Sequence, residues 1–227
     1  MHSSRENPVI VLDGPAGAGK SSVAREVSRR LWLPFLDTGA IYRAITLVML
    51  RKGIPPADSD RLRGALEGFK ISFSDTRVFV AGEDVTDAIR TPEIDANVSP
   101  YSALPAVRNA LLGFQRSRKE FGLVAEGRDM GTVVFPDADL KIFLTASPEQ
   151  RARRRCDERA AKGEPSDYDE TLRRVMERDG IDSTRDTAPL KPAEDAVGLD
   201  TTEMTFEEVV NAIMRYAEKL PKITRVT

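Results

Sequence analysis

Residues Gly14-Pro15-Ala16-Gly17-Ala18-Gly19-Lys20-Ser21 match the spacing G-x-x-x-x-G-K-[ST], and Ser22 continues the turn. Residue types in that order suit one task, holding a nucleoside triphosphate by its phosphates. Gly17 and Gly19 let the main chain curl into a ring of N–H donors, and a helix opening behind them adds its positive end. Lys20 has the reach for the β- and γ-phosphates, and the Ser21 hydroxyl is placed to ligate Mg²⁺. Gly14 to Ser22 are therefore assigned to a nucleoside triphosphate, and Ser21 also to the metal. The competing reading is an incidental glycine-rich turn. Against it stand the apolar run Val9-Ile10-Val11-Leu12 just before the loop and the helical pattern just after.

The use of the triphosphate is read from what accompanies the loop. No N-K-x-D segment for reading guanine is present, nor a Leu-Ser-Gly-Gly transporter segment, and 227 residues are few for a helicase. Instead, arginines stand at loop-like positions. Phosphoryl transfer between two anions needs positioning and charge neutralisation more than covalent help. A phosphate acceptor is already ionised at neutral pH and needs no general base. That suits a chain whose one histidine is His2.

Three sets supply the positive charge. Asp37-Thr38-Gly39-Ala40-Ile41-Tyr42-Arg43 follows a short strand, where α/β ligand sites form, although it would also serve as an ordinary helix start. Glu126-Gly127-Arg128-Asp129 follows another strand. Arg151, Arg153, Arg154 and Arg155 share one helix, with Arg159 and Lys162 beyond; Arg151 and Arg155, four apart, share a face that could equally be a solvated charged surface. Arg178, Asp182 and Arg185 stand at i, i+4, i+7. They project together if a helix persists that far and otherwise line a loop.

Short strands alternating with helices must position these groups. Strand-like runs at Val9–Leu12, Pro34–Leu36, Leu123–Ala125, Lys141–Leu144 and Ala196–Leu199 alternate with helical patterns at 21–33, 39–51, 106–119, 147–161, from Asp167 or Asp169 to Arg178, and from Thr205. Trp32 is expected to pack at the end of the first helix, as bulky apolar residues do. The rhythm predicts an α/β fold, a central parallel sheet flanked by helices. It breaks at 66–90, where alternation in Phe69–Phe73 and Arg77–Val85 predicts a small antiparallel insert resting on the main sheet. Composition agrees: 41% of residues are hydrophobic, 31% charged and 6% aromatic, with a mean hydropathy of −0.34. The single cysteine, Cys156, excludes an internal disulfide framework and any zinc site built on several thiolates. Lys and Arg number 34 and Asp and Glu 36, so no basic excess marks a duplex-binding surface. No signal-peptide pattern or membrane-length apolar run is seen, and a cytoplasmic protein is expected.

The segments GPAGAGKSS, LDTGAIYR (36–43), GEDVTDAIRTPEI (82–94), AEGRDMGTVVFPDADLKIFLTA (125–146) and ERDGIDSTRDTAPL (177–190) resemble bacterial cytidylate kinases, over nearly the whole chain. The resemblance implies a P-loop kinase core over 1–227 with a monophosphate-binding insert near 66–95 and a short helical lid near 147–180. It implies transfer of the γ-phosphoryl of ATP to CMP or dCMP with Mg²⁺. Carried over by position, Thr38, Tyr42 and Arg43 belong to the monophosphate side, with Thr38 where a serine is often found. Arg43 and Arg128 would grip the acceptor phosphate. Ser99, Arg108 and Asp129 would read the cytosine edge, and Arg178, Asp182 and Arg185 would contact ribose and phosphate. The helix bearing Arg151, Arg154 and Arg155 matches the lid, with Arg151 and Arg155 toward ATP. Lys20, Arg128, Arg154, Arg178 and Arg185 form the expected catalytic set. Two departures are Glu126, where some members have Asp, and Gly180-Ile181, less arginine-rich than in some relatives.

The basic residues at 20, 43, 108, 128, 151–155, 178 and 185 are expected to converge on one cleft of a monomer, with no nucleic-acid or membrane partner. Two other readings remain open. One is a P-loop kinase for UMP or a hydroxylated metabolite, with Asp37 or Asp129 as base. The other is a nucleotide-dependent switch protein acting on RNA through the basic helix.

Overall fold

The run Val9-Ile10-Val11-Leu12 becomes strand β1 (Val9–Asp13), and all five of its residues are buried. The structure is a computed structural model that describes residues 7–74, 76–161, 163–221 and 223; His2 and Lys162 lie outside the described residues. β1 is unbroken in its hydrophobicity because parallel neighbours flank it on both sides. Ile10 stands opposite Val124 of β6 (Leu123–Glu126) and opposite Leu140 of β7 (Leu140–Thr145). With β2 (Phe35–Asp37) and β8 (Val197–Asp200), the five-stranded sheet has the order β2-β6-β1-β7-β8. Parallel neighbours distant in sequence need long crossover connections rather than tight turns.

The chain divides into two compact units: one runs to Leu36, then covers Arg116–Thr184 and continues from Ala188, and the other is Asp37–Gln115 with Arg185–Thr187. In the first, α1 (Lys20–Leu31) brings Val23, Ala24 and Val27, and α8 (Phe206–Ala217) brings Val209, Val210 and Ile213, onto Ile10, Leu12, Val124, Ile142 and Leu144. Each of these aliphatic side chains, fully withdrawn from water, is worth roughly 1.5–3 kcal/mol. Thr205 and Glu208 form a reciprocal capping box that opens α8. At the other end of α1 the sequence expectation fails. Trp32 is in the left-handed region (φ 54°) and its side chain is 93% exposed. That residue reverses the chain toward β2; Leu33 takes the buried place and the indole is swung into solvent.

Two more helices of this unit are α6 (Pro148–Ala160), capped by the Ser147 hydroxyl accepting from Gln150 N at 3.2 Å, and α7 (Tyr168–Thr184). α7 runs past Arg178, where the sequence reading stopped it. Gly180 weakens the helix without ending it, and Ser183 and Thr184 donate back to the carbonyls of Asp179 (2.6 Å) and Gly180 (2.7 Å). Arg178 and Asp182 therefore share a face.

The second unit contains α2 (Thr38–Arg51), α3 (Asp60–Glu67), α4 (Pro92–Ala103), α5 (Pro105–Ser117) and a sheet of its own, β3 (Ile71–Ser74), β4 (Arg77–Val80) and β5 (Glu83–Asp84), antiparallel in that order. The antiparallel pairing expected within 66–90 is present, as a sheet of its own. The small sheet packs Val78 and Val85 with Ala40, Ala44 and Ile89 in a separate core. Ala81 (φ 49°) and Gly82 (φ 89°) form the β4–β5 turn, both left-handed as a two-residue hairpin of this twist requires. α3 and α4 escaped the sequence reading. α4 starts with Thr91 as cap and Pro92 at its first position, but Pro100 in its interior reads as a break.

Candidate active site

The phosphate loop leaves β1 at Gly14, whose conformation (φ 145°) brings it against β7. A Cβ there would stand 2.0 Å from the Leu144 carbonyl oxygen, so no side chain fits. The loop closes on Gly19, left-handed (φ 88°), which caps α1 without a side chain of its own. The first N–H groups of α1 are thus left for a ligand, and anions are the ligands they attract. Lys20 and Ser21 occupy the first turn as the motif requires, and Ser21 and Ser22 are exposed. Lys20 is buried and its Nζ donates to the Pro15 carbonyl at 2.7 Å. Burial, then the nearby Arg128 charge, bring the Lys20 ammonium down to about 7.

Around the loop the first unit gathers charge. The Ser21 hydroxyl donates to Glu126 Oε1 at 3.1 Å. Arg128 donates from Nε to Asp182 at 2.8 Å and from Nη1 to the Gly127 carbonyl at 3.2 Å. Arg178 Nε lies 3.8 Å from the same Asp182 oxygen. Burial opposes the Arg128 charge, but Asp182, Glu126 and Asp13 outweigh it and hold the guanidinium above its ordinary range. Asp13 accepts from Met130 N (2.8 Å) and Gly131 N (2.7 Å), fixing the π-helical turn Met130–Val134 that follows Asp129. Burial pushes the Asp13 carboxyl up to about 6, against the pull of those two N–H donors and with the Asp129 charge adding to the rise. Asp129 itself is buried.

The arginine helix does not act as one face. Arg151 is buried and donates to the carbonyls of Ala146 (2.9 Å) and Ala16 (3.0 Å) and to both oxygens of Asp179 (3.0 and 2.6 Å). Arg154 is fastened to Thr201, by hydroxyl (3.0 Å) and carbonyl (2.5 Å). Arg155 is half-buried and Arg153 exposed.

In the second unit, Asp37 caps α2 by accepting from Ala40 N at 2.8 Å, which engages it as a helix cap. Thr38 and Tyr42 are buried on α2, and Arg43 is paired with Asp95 of α4. Arg108 of α5 is buried, lies 5.2 Å from the centre of the Tyr42 ring, and donates to the Ser102 carbonyl at 3.0 Å. Ser102 in turn donates to the Ser99 carbonyl at 3.1 Å. The Ser99 hydroxyl is buried and has no hydrogen-bond partner among the described residues. Arg185, just past α7, is buried and groups with this unit.

Four groups were missed by the sequence reading: Asp13, Asp95, Asp179, and Glu126 as the partner of Ser21. Asp13 and Glu126 carry a faint signal, each an acid at the end of a strand, but only the order β6-β1 makes Glu126 a neighbour of the phosphate loop. Asp95 lies on α4 and Asp179 on the part of α7 beyond Arg178, with nothing in the sequence to set them apart. Among the described residues no three His, Cys, Asp or Glu side chains come together to hold a metal, and no helix is long and apolar enough to cross a membrane.

Comparison with known proteins agrees with this geometry. A solved structure of an uncharacterised protein from Eubacterium ventriosum ATCC 27560 shares the fold at 10% identity, with a TM-score of 0.52 over 94% of this chain and 99% of that one. The curated "Cytidylate kinase" of Pseudomonas aeruginosa (strain UCBPP-PA14) is 48% identical over 219 residues, 93% of this chain and 96% of the relative. That of Mycobacterium leprae (strain Br4923) is 50% identical over 208 residues, 91% and 93%. The family model described as cytidylate kinase matches residues 10–219. With a phosphate loop and a sheet built to carry it, the chain belongs to the cytidylate kinase family and is a phosphotransferase that uses ATP.

Proposed function

We propose that the protein transfers the γ-phosphoryl group of ATP directly to CMP or dCMP, giving ADP and CDP or dCDP, without a covalent intermediate. The observation that carries the choice of base is the Ser99 hydroxyl. A buried hydroxyl without a partner costs about 1–3 kcal/mol unless a ligand satisfies it. The Ser99 main-chain carbonyl accepts from the Ser102 hydroxyl, and the Ser102 carbonyl accepts from the buried guanidinium of Arg108. Cytosine offers acceptors at N3 and O2, suited to Arg108 and Ser99, and an amino donor suited to Asp129; uracil reverses the pattern at N3 and C4.

Gly14 to Ser22 hold the ATP phosphates. As those phosphates arrive, their charge returns Lys20 to its protonated form. Arg43 and Arg128 take the acceptor phosphate, with Arg178, Asp182 and Arg185 on ribose and phosphate. The acceptor oxygen is already an anion, so no side chain has to remove a proton, and the arginines offset charge as it moves. Mg²⁺ fits the donor set: the Ser21 hydroxyl and Glu126 carboxylate are hard oxygen donors, and this ion takes one or two protein groups and completes its shell with phosphate oxygens and water. When bound, it would neutralise phosphate charge. Residues 66–95 belong to the monophosphate side, and 147–180 act as the lid that excludes water. Such an enzyme is expected to work as a cytoplasmic monomer without nucleic-acid or membrane partners.

A coupled assay with CMP, dCMP, UMP, AMP and GMP tests the proposal. CMP and dCMP should be turned over well above UMP; equal or lower rates with CMP sink it. Arg128→Ala should depress CMP turnover and leave ATP binding nearly intact. Loss of ATP binding would overturn its assignment to the acceptor side.

A further inference from the structure

Arg151, buried, and Asp179, half-buried, form an ion pair against the phosphate loop. Arg151 places its Nη1 on the Ala16 carbonyl at 3.0 Å, and this carbonyl belongs to the phosphate loop. In a trans peptide the C=O and the following N–H point in opposite directions. Holding the Ala16 oxygen therefore turns the Gly17 N–H the other way, the orientation a phosphate-binding ring requires. The same helix closes the space around Gly17: a Cβ on that residue would meet Arg151 Cβ at 3.1 Å and its carbonyl oxygen at 3.3 Å. Arg151 thus sets the loop from behind.

Arg151 is in turn set by Asp179. Both carboxylate oxygens accept from it, at 3.0 and 2.6 Å, a two-point grip that fixes the guanidinium plane. Asp179 lies on α7 beside Arg178 and three residues before Asp182, the carboxylate that holds Arg128 at 2.8 Å and lies 3.8 Å from Arg178 Nε. One turn of α7 therefore touches the phosphate loop through Arg151 and the acceptor-side arginines through Asp182.

We infer that Asp179 is a positioning residue that couples the two substrate sites: it transmits the state of the phosphate loop, through Arg151 and α7, to the Arg128–Asp182–Arg178 cluster. The inference rests on the proposed assignment of that cluster to the monophosphate. Coupling of this kind is reciprocal and is measured as the factor by which one ligand changes affinity for the other.

The test is calorimetric titration of CMP into the full chain with and without a non-hydrolysable ATP analogue. The parent should bind CMP about fivefold or more tightly with the analogue present, and Asp179→Asn should bring that factor to about one. Asp179→Glu, which keeps the carboxylate, should restore part of it. If Asp179→Asn fails to fold, the double variant Arg151→Met/Asp179→Leu replaces the ion pair by apolar groups, a change that paired charges withdrawn from water often tolerate. It should fold, shown by an intact circular dichroism transition, and should also lose the factor. A purely structural role would lower both affinities and leave the factor unchanged. That result in any folded variant, or a factor of one in the parent, overturns the inference. Failure of the substrate assignment shows separately, as a parent enzyme that does not phosphorylate CMP.

Discussion

Four charged side chains of the first unit and one hydroxyl of the second are held in different ways. In the first, four charges rest on protein partners: Asp13 on two main-chain N–H groups, Lys20 on the Pro15 carbonyl, the half-buried Arg128 on Asp182, and Arg151 on two carbonyls and a carboxylate. In the second, the Ser99 hydroxyl is buried without a partner among the described residues. The contrast fits two tasks. A phosphate is the same in every nucleotide, so its site can be built in advance. A base must be told from similar bases, and a hydroxyl left for the ligand makes the wrong ligand costly.

The largest expected effect attacks the prebuilt side. Lys20→Met should lower kcat by about 100- to 1,000-fold, the usual loss for one donor to developing charge, measured at saturating CMP. Ser99→Ala should separate the two styles most cleanly. It should cut kcat/KM for CMP by roughly tenfold, one hydrogen bond, yet leave the free protein equally stable or up to about 1 kcal/mol more so by denaturant titration. A loss of stability would mean that the hydroxyl is satisfied in the folded chain.

The prebuilt side also predicts proton traffic. The Lys20 ammonium, brought down to about 7 in the free protein, is driven back up by phosphates, so ATP binding at pH 8 should take up protons. Calorimetry in two buffers of different ionisation enthalpy reads this directly; no difference between buffers removes the claim. For Asp13 the sign differs. Its folded value, about 6, lies above its ordinary 3.8, so its contribution to stability is full below 3.8 and is lost as pH rises through 6. Asp13→Asn should flatten that part of the stability profile. The smallest effect is expected at the exposed pair Arg51–Glu83, 2.9 Å apart. Arg51→Ala should change stability by less than about 1 kcal/mol.

The first unit was largely legible in the sequence and the second in part, its α2, α5 and antiparallel strands being read and its α3 and α4 missed, for physical reasons. A buried parallel strand such as Val9–Leu12 and a glycine-lysine loop are dictated by neighbours a few residues away. α4 carries a proline in its interior, and β5 is only two residues long; both are held by packing that no local pattern announces. The site followed the same rule. Lys20 and Ser21 were visible because the loop fixes them, whereas Glu126 became a partner of Ser21 only through strand order, 105 residues away. The arginines on α6 looked alike in the sequence; position on the helix made Arg151 a buried brace and left Arg153 in solvent.

The outward Trp32 has a spectroscopic consequence. It is the one tryptophan of the chain, and it stands in water when the protein is folded. Unfolding moves it from solvent to solvent, so its emission should hardly change while circular dichroism reports the whole transition. The molecule thus offers a nearly blank optical background, on which a tryptophan introduced beside Ser99 would report ligand arrival at that site alone.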